Sequence, residues 1–153
     1  MYDTKRDTVD AMSGMPDVLR HMALNRSAES RTAPAPPGEW GLIEIVCHLR
    51  DAEERSIERT RLMRDRDNPE IAPYDPAKWA VERDYASQDL AAALTSFQSL
   101  RESHVSELES IPWTDWHRAG RHAEYGSIDI LGHALHVASH DAIHLRQIAS
   151  LGR

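Results

Sequence analysis

The sequence predicts an all-α protein, a four-helix bundle built as a single domain over residues 1–153. Two observations carry that expectation. Apolar residues recur at helical spacing through four long segments, and no stretch shows the alternation of a half-buried strand. At 153 residues and 41% hydrophobic, the chain is also long enough to bury one core against four helices.

The first 25 residues carry a helical stripe of Val9, Met12 and Met15, then Val18, Leu19, Met22 and Ala23. Gly14-Met15-Pro16 falls between its halves, where proline predicts a kink or the start of a fresh segment. Arg26 to Glu39 turns polar and then proline-rich (APAPPGE), and reads as a loop. The second helix is expected over about residues 41–67, with Glu44 three residues after Gly41 at capping-box spacing. Leu42, Ile45, Val46, Leu49, Ala52, Ile57 and Met63 form its buried face, and His48 stands at the edge of that face.

Asn68 to Tyr85 contains Pro69, Pro73 and Pro76 and reads as a long connection held down by Trp79 and Tyr85. A third helix is expected over about residues 87–110, with Leu90, Leu94, Phe97, His104, Val105 and Leu108 inside. Next comes a long loop, IPWTDWHRAGRHAEYG, rich in tryptophan, histidine and arginine. It serves either as an aromatic cover for one end of the bundle or as a surface that touches substrate. The last helix is expected from Gly126 to Leu151, with Ser127 at its cap and Asp129 in its first turn.

Charge and composition exclude several functions. A net charge of −7 and a pI near 5.7 leave no basic stripe for nucleic acid. The arginines between Arg55 and Arg66 are interleaved with Glu58 and Asp65, as on a solvated helix face. The single cysteine, Cys47, cannot form an intrachain disulfide and fits a reducing compartment. MYDTKRDTVD lacks the apolar core of a signal peptide, and no apolar run approaches the ~20 residues of a membrane span. These features predict a cytoplasmic protein with neither nucleic-acid nor membrane partners.

The last helix is the chemically unusual one, carrying His133, His136, His140 and His144. Residues four apart on a helix stand about 5–6 Å apart at Cβ, so both imidazoles can reach one ion. Two such pairs exist, His136 with His140 and His140 with His144. The second lies nearer the apolar sector, where a ligand is held and oriented, and is the preferred pair. His133 lies about 10 Å along the axis from His140 and cannot join it. His140-Asp141-Ala142-Ile143-His144 imitates the HExxH of zinc proteases, but aspartate is one methylene short of the required base. The nine residues after His144 offer no further ligand, so a third must come from earlier in the chain. In a bundle, a facing helix supplies it, and His48 makes a geometrically reasonable trio.

Several stretches together resemble the DinB-like superfamily of four-helix-bundle metal-binding proteins, of the YfiT type. They are PAPPGEW at residues 34–40, EIVCHLRDAEERSIER at 44–59, Asp75-Pro-Ala-Lys-Trp79, WHRAGRHAEYG at 116–126 and SHDAIHLRQI at 139–148. The likeness runs in order along nearly the whole chain. It implies an up-down-down-up bundle with a divalent-metal site at one end. Position by position it assigns the ligands to His48, His140 and His144. Gly41 departs from the family's usual serine, which weakens a helix cap by a few tenths of a kcal/mol and touches no ligand.

The resemblance also implies a metal-dependent thiol S-transferase acting on a small electrophilic molecule, with a low-molecular-weight thiol as second substrate. A non-catalytic metal- or ligand-binding stress-response bundle and a metal-dependent hydrolase are the alternatives. Imidazole ligands suit zinc, nickel, manganese or iron. Trp113, Arg118 and Arg121 are the candidate substrate contacts, and Asp141 or Glu44 the candidate partners that would orient a ligand histidine. Relatives of this kind imply a homodimer.

Overall fold

The computed structural model describes residues 3–152. Residues 1 and 2, which the expected first helix included, lie outside the described residues. The chain forms α1 (Thr4–Leu24), a short α2 (Ala28–Thr32), α3 (Leu42–Asp65), α4 (Pro76–Glu82), α5 (Leu90–Ser110) and α6 (Ile130–Ser150). Helices α1, α3, α5 and α6 make the bundle and form a closed ring of neighbours: α1 packs against α5 and α6, and α3 packs against α5 and α6.

Two apolar clusters show the direction of each helix. One joins Leu19 and Ala23 late in α1 to Leu42 and Ile45 early in α3, Leu94 early in α5, and Ile148 late in α6. The other joins Val9 and Met12 to Met63, Leu108, Ile130 and Ala134 at the opposite end. Helices α1 and α6 therefore run one way and α3 and α5 the other, an up-down-down-up bundle. The long connection between α3 and α5 is what allows two consecutive helices to run in the same direction.

Between the clusters lies a buried polar layer. Arg101, 1% exposed, donates to Glu53 on α3 (2.9 Å) and to both oxygens of Asp141 on α6 (2.7 and 3.0 Å). His104 meets Glu53 at 2.7 Å and Thr60 at 2.8 Å. Burial alone would raise the Glu53 pKa, but the His104 hydrogen bond and the Arg101 charge outweigh it and pull it down to about 2.

Three local expectations are corrected. Helix α1 runs without interruption through Pro16. Strands do occur: β1 (Glu70–Ile71) pairs parallel with β2 (Ala119–His122), which pairs antiparallel with β3 (Gly126–Asp129). Strands of two to four residues are too short for alternation to announce them. The chain approaches closely at Gly120 in β2, where a Cβ would stand 2.7 Å from the end of the Ile71 side chain and 3.1 Å from the Pro69 carbonyl oxygen. Finally, α6 starts at Ile130, not Gly126, because residues 126–129 are committed to the sheet. Asp129, not Ser127, caps it, accepting from the Gly132 amide at 2.7 Å.

The connection from Asn68 to Tyr85 is also more ordered than a loop. Asp75 caps α4 by accepting from Ala77 and Lys78, and Pro76 occupies its first turn. The Arg83 guanidinium lies over the Trp79 ring, 3.8 Å from its centroid, and Tyr85 is fully buried. Helix α3 begins as expected, with Glu44 accepting from the Gly41 amide at 2.8 Å. No helix among the described residues is long and apolar enough to cross a membrane.

Candidate metal centre

His48 projects from the second turn of α3, while His140 and His144 stand one turn apart on α6. Because α3 and α6 are packed neighbours, the three rings meet. The Nε2 of His140 lies 3.0 Å from that of His48 and 3.1 Å from that of His144. One nitrogen from each of the three residues lies within 4.8 Å of the others. Two nitrogens that each bind one ion at about 2.0–2.1 Å stand about 3–3.5 Å apart, so this spacing fits a shared cation.

Protonation points the same way. The Nδ1–H of His144 donates to Gln147 Oε1 at 2.9 Å, which leaves the lone pair on its Nε2 facing the other rings. His140 can place a single proton between two neighbours and so cannot satisfy both. His48 Nδ1 is buried without a hydrogen-bond partner, so its Nε2 is the nitrogen through which the ring engages. Burial and the neighbouring rings lower the pKa of His48 to about 3 and that of His140 to about 4. Burial also lowers that of His144. All three are therefore neutral near pH 7, the form that binds metal. Trp40 packs on His48 with ring centroids 4.9 Å apart and shields its outer side.

His136 remains outside the trio, its ring centroid 6.2 Å from that of His140. Neither acid expected to orient a ligand touches a ring of the trio. Glu44 is spent on the Gly41 amide, and Asp141 turns inward to Arg101. Gln147, one turn after His144, is the residue that holds a ring of the trio in place. The resemblance of residues 140–144 to a protease motif thus ends at Asp141, whose carboxylate faces the core.

The trio opens on a cavity of about 670 Å³, walled by Arg59, Tyr74, His122, Tyr125, His136 and the rings of His48 and His140. A side chamber of about 240 Å³ continues from it between Ile71, Ile128 and His133. Trp113, Arg118 and Arg121 do not line either space. Trp113 stacks near Trp116 and His117 on a short 3-10 turn. Arg118 donates to the Met63 and Arg66 carbonyls, both at 3.0 Å, and so ties down the end of α3. Arg121 points outward to Glu70. The loop does reach the cavity, but through His122 and Tyr125. Arg59, which sequence reasoning missed, lies eleven residues after His48 and so three helical turns along the same face.

Comparison with known proteins agrees with this geometry. The profile of the DinB superfamily matches residues 11–148. The chain belongs to the DinB superfamily. Relatives include a protein of Oceanobacillus iheyensis, 28% identical over 94% of this chain and 83% of its own length. YfiT of Bacillus subtilis is 24% identical over 99% of this chain and 85% of its own. Both are named, provisionally, as metal-dependent hydrolases. The solved structure of YfiT, with its unusual four-helix bundle topology, superposes with a TM-score of 0.89 at 22% identity, covering 97% of this chain and 86% of that one. DinB membership and the three-histidine cluster together support a divalent-metal role.

Proposed function

We propose that His48, His140 and His144 hold a divalent ion and that the protein is a metal-dependent S-transferase, joining a low-molecular-weight thiol to a small electrophile. Three protein ligands leave coordination positions open, as in catalytic rather than structural sites. A divalent ion there would hold an incoming thiol as thiolate at neutral pH.

The observation that carries the reading is the state of the buried carboxylates beside the trio. Glu53 and Asp141 are both committed to Arg101, so neither is free to take a proton from water. Thiol transfer needs no such base, because a thiol gives up its proton to bulk water far more readily. The sulfur then forms a bond to the electrophilic carbon and the leaving group, such as chloride, departs with its electron pair. The chain's own contribution is positioning. His48 and Trp40 close one side, and the cavity is large enough for thiol and acceptor together.

A specific observation favours hydrolysis as the second reading. His136 stands at the cavity wall one turn from His140 and would serve as general base, in keeping with the provisional names of the relatives.

The two are separated by incubating metal-loaded and chelator-treated protein with glutathione or cysteine and a chloro-aromatic acceptor. Transfer is expected from the loaded form alone, and His136→Ala should leave it intact. Equal rates for loaded and metal-free protein would overturn the transferase. Metal-dependent ester hydrolysis that vanishes in His136→Ala would establish the second reading.

A further inference from the structure

Away from the histidine trio, the cavity holds two hydrogen-bond donors that face each other with no acceptor between them. The Nδ1 of His122 accepts from the backbone amides of Glu124 (3.1 Å) and Tyr125 (3.4 Å). A neutral ring that accepts at Nδ1 carries its proton on Nε2. That Nε2 lies 3.5 Å from Nη2 of Arg59, and a guanidinium has no acceptor to offer it. Burial and the Arg59 charge lower the His122 pKa, which keeps the ring in this neutral form.

Arg59 is half-buried, and among the described residues it has no carboxylate within ion-pair distance. Its one firm protein acceptor is the Ala72 carbonyl, at 3.1 Å from Nη2. The buried Arg101 and the half-buried Arg50 are, by contrast, each paired with an acid. A half-buried guanidinium that leaves most of its donors unused, beside a second donor on a facing strand, is arranged for an acceptor from outside the chain.

We propose that Arg59 and His122 form a carboxylate-binding subsite that sets the substrate class of the cavity: small monoanionic acids with an apolar body. This rests on the reading of the neighbouring trio as the reactive centre. Shape and charge select the class. The side chamber between Ile71, Ile128 and Tyr125 receives the apolar body, and Arg59 and His122 line that chamber as well as the main cavity. Glu124 and Asp75 at the rim of the main cavity repel a doubly charged phosphate more than a carboxylate. Bridging between guanidinium and imidazole N–H suits the two oxygens of a carboxylate.

The test uses chelator-treated full-length protein, so that a carboxylate cannot bind to an ion. Benzoate, benzamide and phenylphosphonate are titrated in by NMR or calorimetry. Benzoate is expected to bind at least tenfold more tightly than either comparator. Arg59→Gln and His122→Leu should each bring benzoate to the level of benzamide, leaving benzamide itself unchanged, and His144→Ala should leave the preference intact. Unchanged benzamide affinity and unchanged metal uptake show that a variant has folded, and either variant alone suffices. A benzoate preference that survives both substitutions, or that is absent from metal-free protein, overturns the subsite. Loss of metal uptake in His144→Ala with the benzoate preference retained keeps the two ideas separate, because the failure of one leaves the other measurable.

Discussion

The guanidinium of Arg101 donates to the backbone carbonyl of Met12, with Nη1 3.0 Å from the oxygen. Met12 is four residues before Pro16, and its carbonyl is the one that proline, lacking an N–H, leaves without a helical partner. An arginine from α5 thus replaces the missing donor in α1, and the helix continues through a residue that ordinarily breaks it. The same side chain joins Glu53 of α3 and Asp141 of α6, so one guanidinium links all four helices of the bundle.

Removing it should therefore be costly. Arg101→Met strands two buried carboxylates, and breaking a buried ion pair from one side costs about 3–5 kcal/mol. Urea unfolding should show a loss of that size, and adding Glu53→Gln with Asp141→Asn should recover much of it. Pro16→Ala, in contrast, should change stability by less than about 1 kcal/mol, well below the ~3 kcal/mol usual for a proline inside a helix. A loss below about 1 kcal/mol for Arg101→Met would mean that the buried layer does not bind the helices together.

Stability should fall with acid in two stages. His133 is fully buried and its pKa is lowered to about 3, chiefly by burial and by the nearby His104 and Arg59 charges. A histidine held neutral in the fold contributes fully above its unfolded pKa of about 6.5 and loses that contribution as pH falls towards 3. Glu53, held near 2, adds a second loss between about 4.5 and 2. Each proton taken up on unfolding contributes a slope of about 1.4 kcal/mol per pH unit. Metal-free His133→Gln should lose one such increment of slope between pH 4 and 6. Chemical denaturation at several pH values measures it, and an unchanged slope would remove His133 from the account.

Much of the fold was legible because helix faces advertise themselves. Val9, Met12, Leu49, Phe97 and Ile148 lie in the core where the 3.6-residue period puts them. The spacing of His140 and His144 on one helix was visible for the same reason. Their convergence with His48 was not a property of spacing and depended on which helices are neighbours. Arg101 escaped notice because its partners are 40, 48 and 89 residues away in sequence. The sheet escaped because its strands are held by backbone pairing, leaving side-chain pattern little to say. Arg118 and Arg121 looked suited to substrate by residue type, but type alone does not tell an arginine that grips the Met63 carbonyl from one that lines a cavity.

The expected homodimer is a question for sedimentation. Ile143 is 64% exposed on α6, although apolar, and is the residue to test as a contact with a second copy. A species near twice the chain mass of 17.3 kDa at micromolar concentration is expected, and Ile143→Asp should reduce it to the monomer. A monomer alone in the wild type would reject the dimer.

The most direct test of the metal centre is elemental analysis of protein purified without chelator, made together for the wild type, His140→Ala, His144→Ala and His136→Ala. The wild type and His136→Ala should each carry about one divalent ion per chain, zinc, nickel, manganese or iron, and the other two variants essentially none. Full occupancy in His140→Ala, or loss of the ion in His136→Ala alone, would contradict the assignment of the trio.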